Sequence, residues 1–202
     1  MYDILYIDDS KIKYKDKVYN INIAFNRVLR AIDILEDESL EESEKATYSY
    51  ECFFDEKYKL NINEKVELVN KVFEHINSFA RGKKKVNDEI VMDIKQDFEY
   101  IYSSFMMNYG IDLVEEVDKL SWIKFMSLLG GLSEKTKMSE VIKIRSMKVP
   151  KATKDNAEHR NNIIKMKAYY SLEQKEGNFQ QQLNDLFGTL KGMAKPKKKK
   201  GR

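Results

Sequence analysis

The sequence predicts a mainly α fold: a compact helical domain with a small N-terminal β-hairpin and a helical, partly disordered C-terminal arm. Three observations carry that prediction. Apolar residues recur at three- and four-residue spacing, as in Phe25, Val28, Leu29, Ile32 and Leu35. Only two prolines and eight glycines occur in 202 residues, which gives little support to sandwich-like or Gly-rich architectures. Charged residues make up 34% of the chain, a share suited to extended helix surfaces facing water, and 42% hydrophobic content is enough for one ordinary core.

Residues 3–22 contain two short alternating runs around Tyr14, Lys15, Asp16 and Lys17, and we read an antiparallel hairpin with Ile12, Tyr14, Val18, Tyr19 and Ile21 packed. A lone hairpin is marginal in water, so this one is expected to lie on the helical body. The first helical stripe follows, with Arg27, Arg30 and Asp33 outside it. The acid-rich residues 37–44 are expected to form a turn and the start of a helix over about residues 40–54, with their carboxylates on a solvated face. Asn61 or Asn63 is positioned to cap the next helix, which carries Val66, Val69, Phe73, Ile76 and Ala80 on one side. Gly82 ends it and Lys83–Lys85 form a basic loop. A further helix is expected from Asn87 or Asp88 through Ile90, Ile94 and Phe98.

The chain is organised around residues 97–132, which hold the one Trp and many of the Phe, Tyr and Met residues. Phe98, Ile101, Tyr102, Phe105 and Tyr109 recur at helical spacing before Gly110, a residue suited to a left-handed stop. Asp112 with Glu115 three residues on reads as an N-cap, so a second helix is expected to start there. From Ser121, Trp122, Phe125, Met126 and Leu129 share one face while Ile123 and Leu128 point elsewhere, and Gly130 and Gly131 close the segment. Ser133 is the expected cap of a short helix containing Met138, Val141, Ile142 and Arg145.

Val149 and Pro150 set the expected main boundary, because proline disfavours helix at the residue before it. The expected organisation is therefore a hairpin over residues 1–22, a helical core over 23–150 and an arm with a basic tail over 151–202. In the arm, a polar helix is expected over about residues 155–174. Residues 177–193 offer Phe179, Leu183, Leu186, Phe187 and Leu190 for anchoring. A helix of that quality is poorly stable alone and is expected to fold on a partner.

The net charge of +3 is small but uneven, with residues 33–44 acidic and Lys195–Arg202 almost wholly basic. Such a tail can touch phosphate without reading sequence, yet it serves equally as a soluble terminus. Nucleic acid is not the expected partner, and Arg81–Lys85 is read the same way. Cys52 is the one cysteine, which removes an intrachain disulfide framework and fits a reducing compartment. The opening MYDILYIDD lacks a secretory pattern, and no stretch has the length and apolarity of a membrane span.

His75 and His159 belong to no metal-ligand pattern, and neither GxGxxG nor GxxxxGK[ST] occurs. No catalytic residue, metal or cofactor is therefore assigned. What remains is apolar, flexible surface for another protein. Met is an adaptable packer, so Met106, Met107 and Met126 suit varied apolar partners. The partner-binding candidates are Tyr102, Phe105, Met106, Tyr109, Trp122, Phe125, Met126, Ile164, Tyr170, Phe179, Leu183 and Phe187.

Over about residues 3–150, the order of the segments NINIAFNRVLRAIDIL, DFEYIYSSFMMNYGIDL and LSWIKFMSLLGGLSEKTKMSEVIKIRSMKVP resembles the bacteriophage Gp15 family of siphophages infecting Gram-positive bacteria. The matching positions include Asp97, Phe98, Tyr102, Phe105, Tyr109 to Leu113, Trp122, Lys124, Phe125, Gly131, Leu132, Ile144, Arg145 and Pro150. Members are similar to tail assembly chaperones, which implies that the chain binds the tape measure protein and keeps it soluble before tail-tube polymerisation. The resemblance also implies action in the host cell cytoplasm, absence from the mature virion, and self-association or contact with tail-tube protein. It supplies no catalytic residues. A structural tail or head-tail component is the alternative, and a regulatory nucleic-acid binder the next.

Overall fold

A computed structural model of the chain describes residues 9–79 and 91–173. Among them are two strands and seven helices, in the order β1 (Lys11–Tyr14), β2 (Lys17–Asn20), α1 (Phe25–Glu36), α2 (Glu42–Phe53), α3 (Ile62–Ser78), α4 (Phe98–Tyr109), α5 (Trp122–Gly130), α6 (Lys137–Ser146) and α7 (Ala157–Tyr169). The fold is mainly α with an N-terminal hairpin, as expected. By its contacts the chain divides into two compact units. Of the described residues, 9–79 and 116–126 belong to the first, and 91–115 and 127–173 to the second. The expected boundary at Pro150 falls inside the second unit.

In the first unit β1 and β2 pair antiparallel, Ile12 opposite Tyr19 and Lys13 opposite Val18. The turn is tight because Lys15 adopts φ 53°. Ile12, Tyr14, Tyr19 and Ile21 are buried, but Val18 is exposed, contrary to expectation. Its place opposite Lys13 puts it on the solvent face, because side chains alternate along a strand.

The α1 stripe buries Phe25, Val28, Ala31, Ile32 and Leu35. At α2 the cap is built from carboxylates, Glu41 and Glu44 forming a reciprocal capping box. Asn61 does the same with Glu64 at α3, where Asn61 Oδ1 accepts from the Glu64 amide at 3.0 Å. Helix α3 buries Val66, Val69, Phe73 and Ile76, while Ala80 and the basic loop after it lie outside the described residues.

Residues 116–126 close this unit. Ala24 and Ser121 form an isolated antiparallel bridge, with the Phe25 amide donating to Leu120 O at 2.9 Å and the Trp122 amide to Ile23 O at 2.7 Å. Phe125 then stacks on Phe25 at 5.1 Å between centroids and on Trp122 at 5.7 Å. Arg27 joins the same closure, donating to Asp118 at 2.7 Å and Asp55 at 2.6 Å.

No helix follows Asp112, which corrects the sequence expectation. Its carboxylate accepts from the Val114 amide two residues on at 2.8 Å, making an Asx-type turn in place of a cap. Residues 113–119 stay in turns, and Asp118 has φ 61°, which helix cannot contain.

The second unit shows the same competition before α4. Residues 91–97 are irregular, where a continuous helix was expected, because Asp93 Oδ1 accepts from the amides of Lys95 and Gln96 and Asp97 Oδ2 accepts from that of Asp93. Asn87, Asp88 and Ile90 lie outside the described residues. Helix α4 buries Ile101, Ser104 and Phe105 and packs on α6, whose Met138, Val141 and Ile144 face inward. The expected Ser133 cap moves to Thr136, with the Ser133 carbonyl accepting from the Thr136 hydroxyl at 2.8 Å.

Gly110 ends α4 at φ 66°, ψ 21°, and its amide donates to Met106 O at 3.0 Å. Ala at position 110 is expected to cost about 1–2 kcal/mol, the strain of a left-handed L-residue, even though no atom lies within 4 Å of the added Cβ. Ala at Gly130, which has the same open space without a positive φ, is expected to be neutral or stabilising by up to about 1 kcal/mol. Urea unfolding of the two variants checks the contrast.

Candidate partner-binding surface

The framework of the second unit is one buried ion pair. Arg145, near the end of α6, donates to Asp97 through both terminal nitrogens, at 2.6 Å to Oδ2 and 2.7 Å to Oδ1. It also reaches the carbonyls of Val91 at 3.0 Å and Tyr170 at 2.5 Å. One guanidinium therefore ties the turn before α4, helix α6 and the residue capping α7. Lys167 adds to the attachment of α7 by donating to the carbonyls of Arg145 and Met147. These polar contacts matter because α7 buries only Ile163.

The sequence candidates separate by exposure. Phe105, Trp122 and Phe125 are buried, with Phe105 and Phe125 fully enclosed. Their aromatic area is already used in packing, which takes them off the exposed candidate surface. Tyr102, Tyr109 and Met126 are half-buried. The Tyr109 hydroxyl donates to Leu128 O at 2.9 Å, so that ring is pinned. The hydroxyl of Tyr102 is held above its usual range by burial, then by its hydrogen bond to the Asp112 carboxylate. Tyr170 is also half-buried, with the Lys137 ammonium donating to its hydroxyl at 2.8 Å and the Tyr100 ring 5.9 Å away. Phe179, Leu183 and Phe187 lie outside the described residues.

The candidates that keep apolar area in water are Met106, 40% exposed on α4, and Ile164, 39% exposed on α7. Met107, already marked in the sequence as an adaptable packer, is 66% exposed beside Met106. Structure adds others that the sequence did not single out as sites: Val114 is 69% exposed in the turn after α4, and Met166 and Tyr169 are exposed on α7. Tyr169 is the most exposed of them, at 78%. On α4 the buried Ile101 and Phe105 take one side, leaving Met106 and Met107 pointing outward about 100° apart. The only signal that could have found Val114 and Tyr169 in the sequence is their failure to fit a buried stripe.

Among the described residues, no three His, Cys, Asp or Glu side chains are grouped to hold a metal ion. No described helix is long and apolar enough to cross a membrane. The thiol of Cys52 is buried and raised above its ordinary pKa by that burial.

The fold and this surface define a small helical protein whose adaptable apolar side chains are turned to solvent in its second unit. A family model, that of the bacteriophage Gp15 protein, matches residues 7–172. The chain belongs to the bacteriophage Gp15 family, and all the described helices lie within the matched span. No curated protein and no solved structure matches it.

Proposed function

We propose that this phage protein is a tail assembly chaperone that binds the tape measure protein and keeps it soluble until tail-tube protein polymerises around it. The observation that carries the reading is the exposed Met106 and Met107 pair on the outer face of α4. Methionine is unbranched and polarisable, so it adapts to many apolar shapes, which suits a client presenting a long series of similar but unequal helix faces. Binding many copies along one client adds avidity to modest single contacts, and tail-tube subunits then displace them with a larger continuous interface. No catalytic step and no cofactor enter this account. It acts in the host cytoplasm and leaves before the virion is complete.

Family membership supports the broader class, a structural or head-tail related phage protein, and that class contains the second reading. A structural tail or head-tail component would use the same apolar face permanently. Co-expression with the gene for the tape measure protein, followed by size-exclusion chromatography and mass measurement, tests the proposal. A soluble complex with several copies of this chain per client is expected. An aggregated client with this chain left unbound refutes the chaperone reading, and fixed-stoichiometry retention in purified virions establishes the structural one.

A further inference from the structure

Among the described residues, the outer face of α4 is left open, with Ser103, Met106 and Met107 exposed. Tyr100, Ser103 and Met107 stand at i, i+3 and i+7, so they line one row of that face. The row begins where α7 ends, since the Tyr100 ring lies 5.9 Å from that of Tyr170. The chain then leaves α7 beside it. The Glu173 amide donates to Gln96 Oε1 at 2.8 Å, and Gln96 Nε2 donates to the Glu173 carbonyl at 3.4 Å. Glu173, the last described residue, is therefore fastened just before the start of α4.

Residues 174–202 continue from that point. Within them Phe179, Leu183, Leu186, Phe187 and Leu190 recur at i, i+4, i+7, i+8 and i+11, the spacing of one helix face, and Gln181 falls on the opposite side. Gly188 weakens such a helix in isolation, so its apolar side needs a surface to form on. The lengths match. As a helix, residues 179–190 would run about 18 Å, the same 12 residues as α4. Residues 174–178 are polar and include Gly177, and they span up to about 17 Å, enough to turn the segment onto the helix beside which it emerges.

We infer that residues 179–190 dock as a helix on the outer face of their own α4, laying the leucine and phenylalanine stripe on Met106 and Met107. The short tether favours this occupant over a second copy of the chain. It holds the stripe at an effective concentration on the order of 1 mM, so that even a weak contact stays mostly formed. Methionine adapts to such a stripe as readily as to a client helix. A client with a longer apolar face then displaces the segment, which sets a threshold against short or weakly apolar helices. That consequence rests on the chaperone reading; the intramolecular cover does not.

The test treats the full chain with dilute hydrogen peroxide and follows sulfoxide formation at the Met106 and Met107 pair by peptide mass spectrometry. The pair is expected to oxidise about fivefold more slowly in the natural chain than in the full-length Leu183→Asp, Phe187→Asp variant, because the docked stripe shields the thioethers from oxidant. Gln181→Asp is expected to keep the natural rate. Met126, in the first unit, is expected to oxidise alike in all three. The protection is expected to persist on diluting the chain about a hundredfold, as a tethered contact requires. Equal rates in the natural chain and the double variant, loss of protection in Gln181→Asp, a change shared by Met126, or protection that fades on dilution overturns the inference. The last outcome marks a second copy as the occupant. No client enters the experiment, so failure of tape measure capture and failure of this cover are read separately.

Discussion

Arg145→Ala is expected to be among the most damaging single changes in the second unit, lowering stability by on the order of 3–5 kcal/mol. The reason is what stays behind. Asp97 is 1% exposed and bound through both oxygens to the lost guanidinium, so truncation leaves a buried carboxylate with its main charge partner gone. The carbonyls of Val91 and Tyr170 lose their donor at the same time. Removing both charges together, as Asp97→Asn with Arg145→Met, is expected to cost clearly less than Arg145→Ala, because neutral groups are cheaper to bury than one orphaned ion. Urea unfolding followed by far-ultraviolet circular dichroism checks the series. A loss below about 1 kcal/mol for Arg145→Ala would show that the pair is not what holds α4, α6 and the end of α7 together.

Phe125→Ala is expected to cost about 3–5 kcal/mol in the first unit. Its ring is fully buried and stacked between Phe25 and Trp122, so truncation loses transfer energy and leaves a cavity between two large rings. Residues 116–126 return to α1 through the Ala24–Ser121 bridge and the Arg27–Asp118 pair, and Phe125 is the apolar part of that closure. Phe125→Leu retains most of the volume and is expected to cost no more than about 1.5 kcal/mol. Trp122 fluorescence during unfolding reports on both variants, since that ring lies against the substituted position. Equal effects of Ala and Leu would mean the stack contributes little beyond bulk.

Much of the fold was legible because periodicity and caps act locally. The α1 and α3 stripes, the Asn61 cap and the left-handed Gly110 each depend on residues within a few positions of one another. The regions that departed from expectation are rich in aspartate. Asp93, Asp97 and Asp112 carry side chains able to cap a helix or to bind backbone amides in competition with one, and spacing alone does not choose. Here the second outcome holds at all three.

The candidate surface was legible only in part for a related reason. Helical spacing shows that Phe105 and Met106 point in different directions, but which direction is covered depends on α6, 34 residues away at the Ser104–Met138 hydrogen bond. The Asp97–Arg145 pair spans 48 positions and has no local signature. Family resemblance placed both residues without saying what they do; the structure makes them each other's partners.

The central claim is that exposed methionines on α4 cover a client's apolar helices. It is tested most directly by co-expressing the Met106→Lys, Met107→Lys double variant with the tape measure protein and measuring the mass of the soluble complex. Both side chains face solvent, so folding stability is expected to stay within about 0.5 kcal/mol of the natural chain per substitution. The account predicts a well-folded variant that no longer keeps the client in solution. A variant that still forms the same multi-copy complex would contradict it.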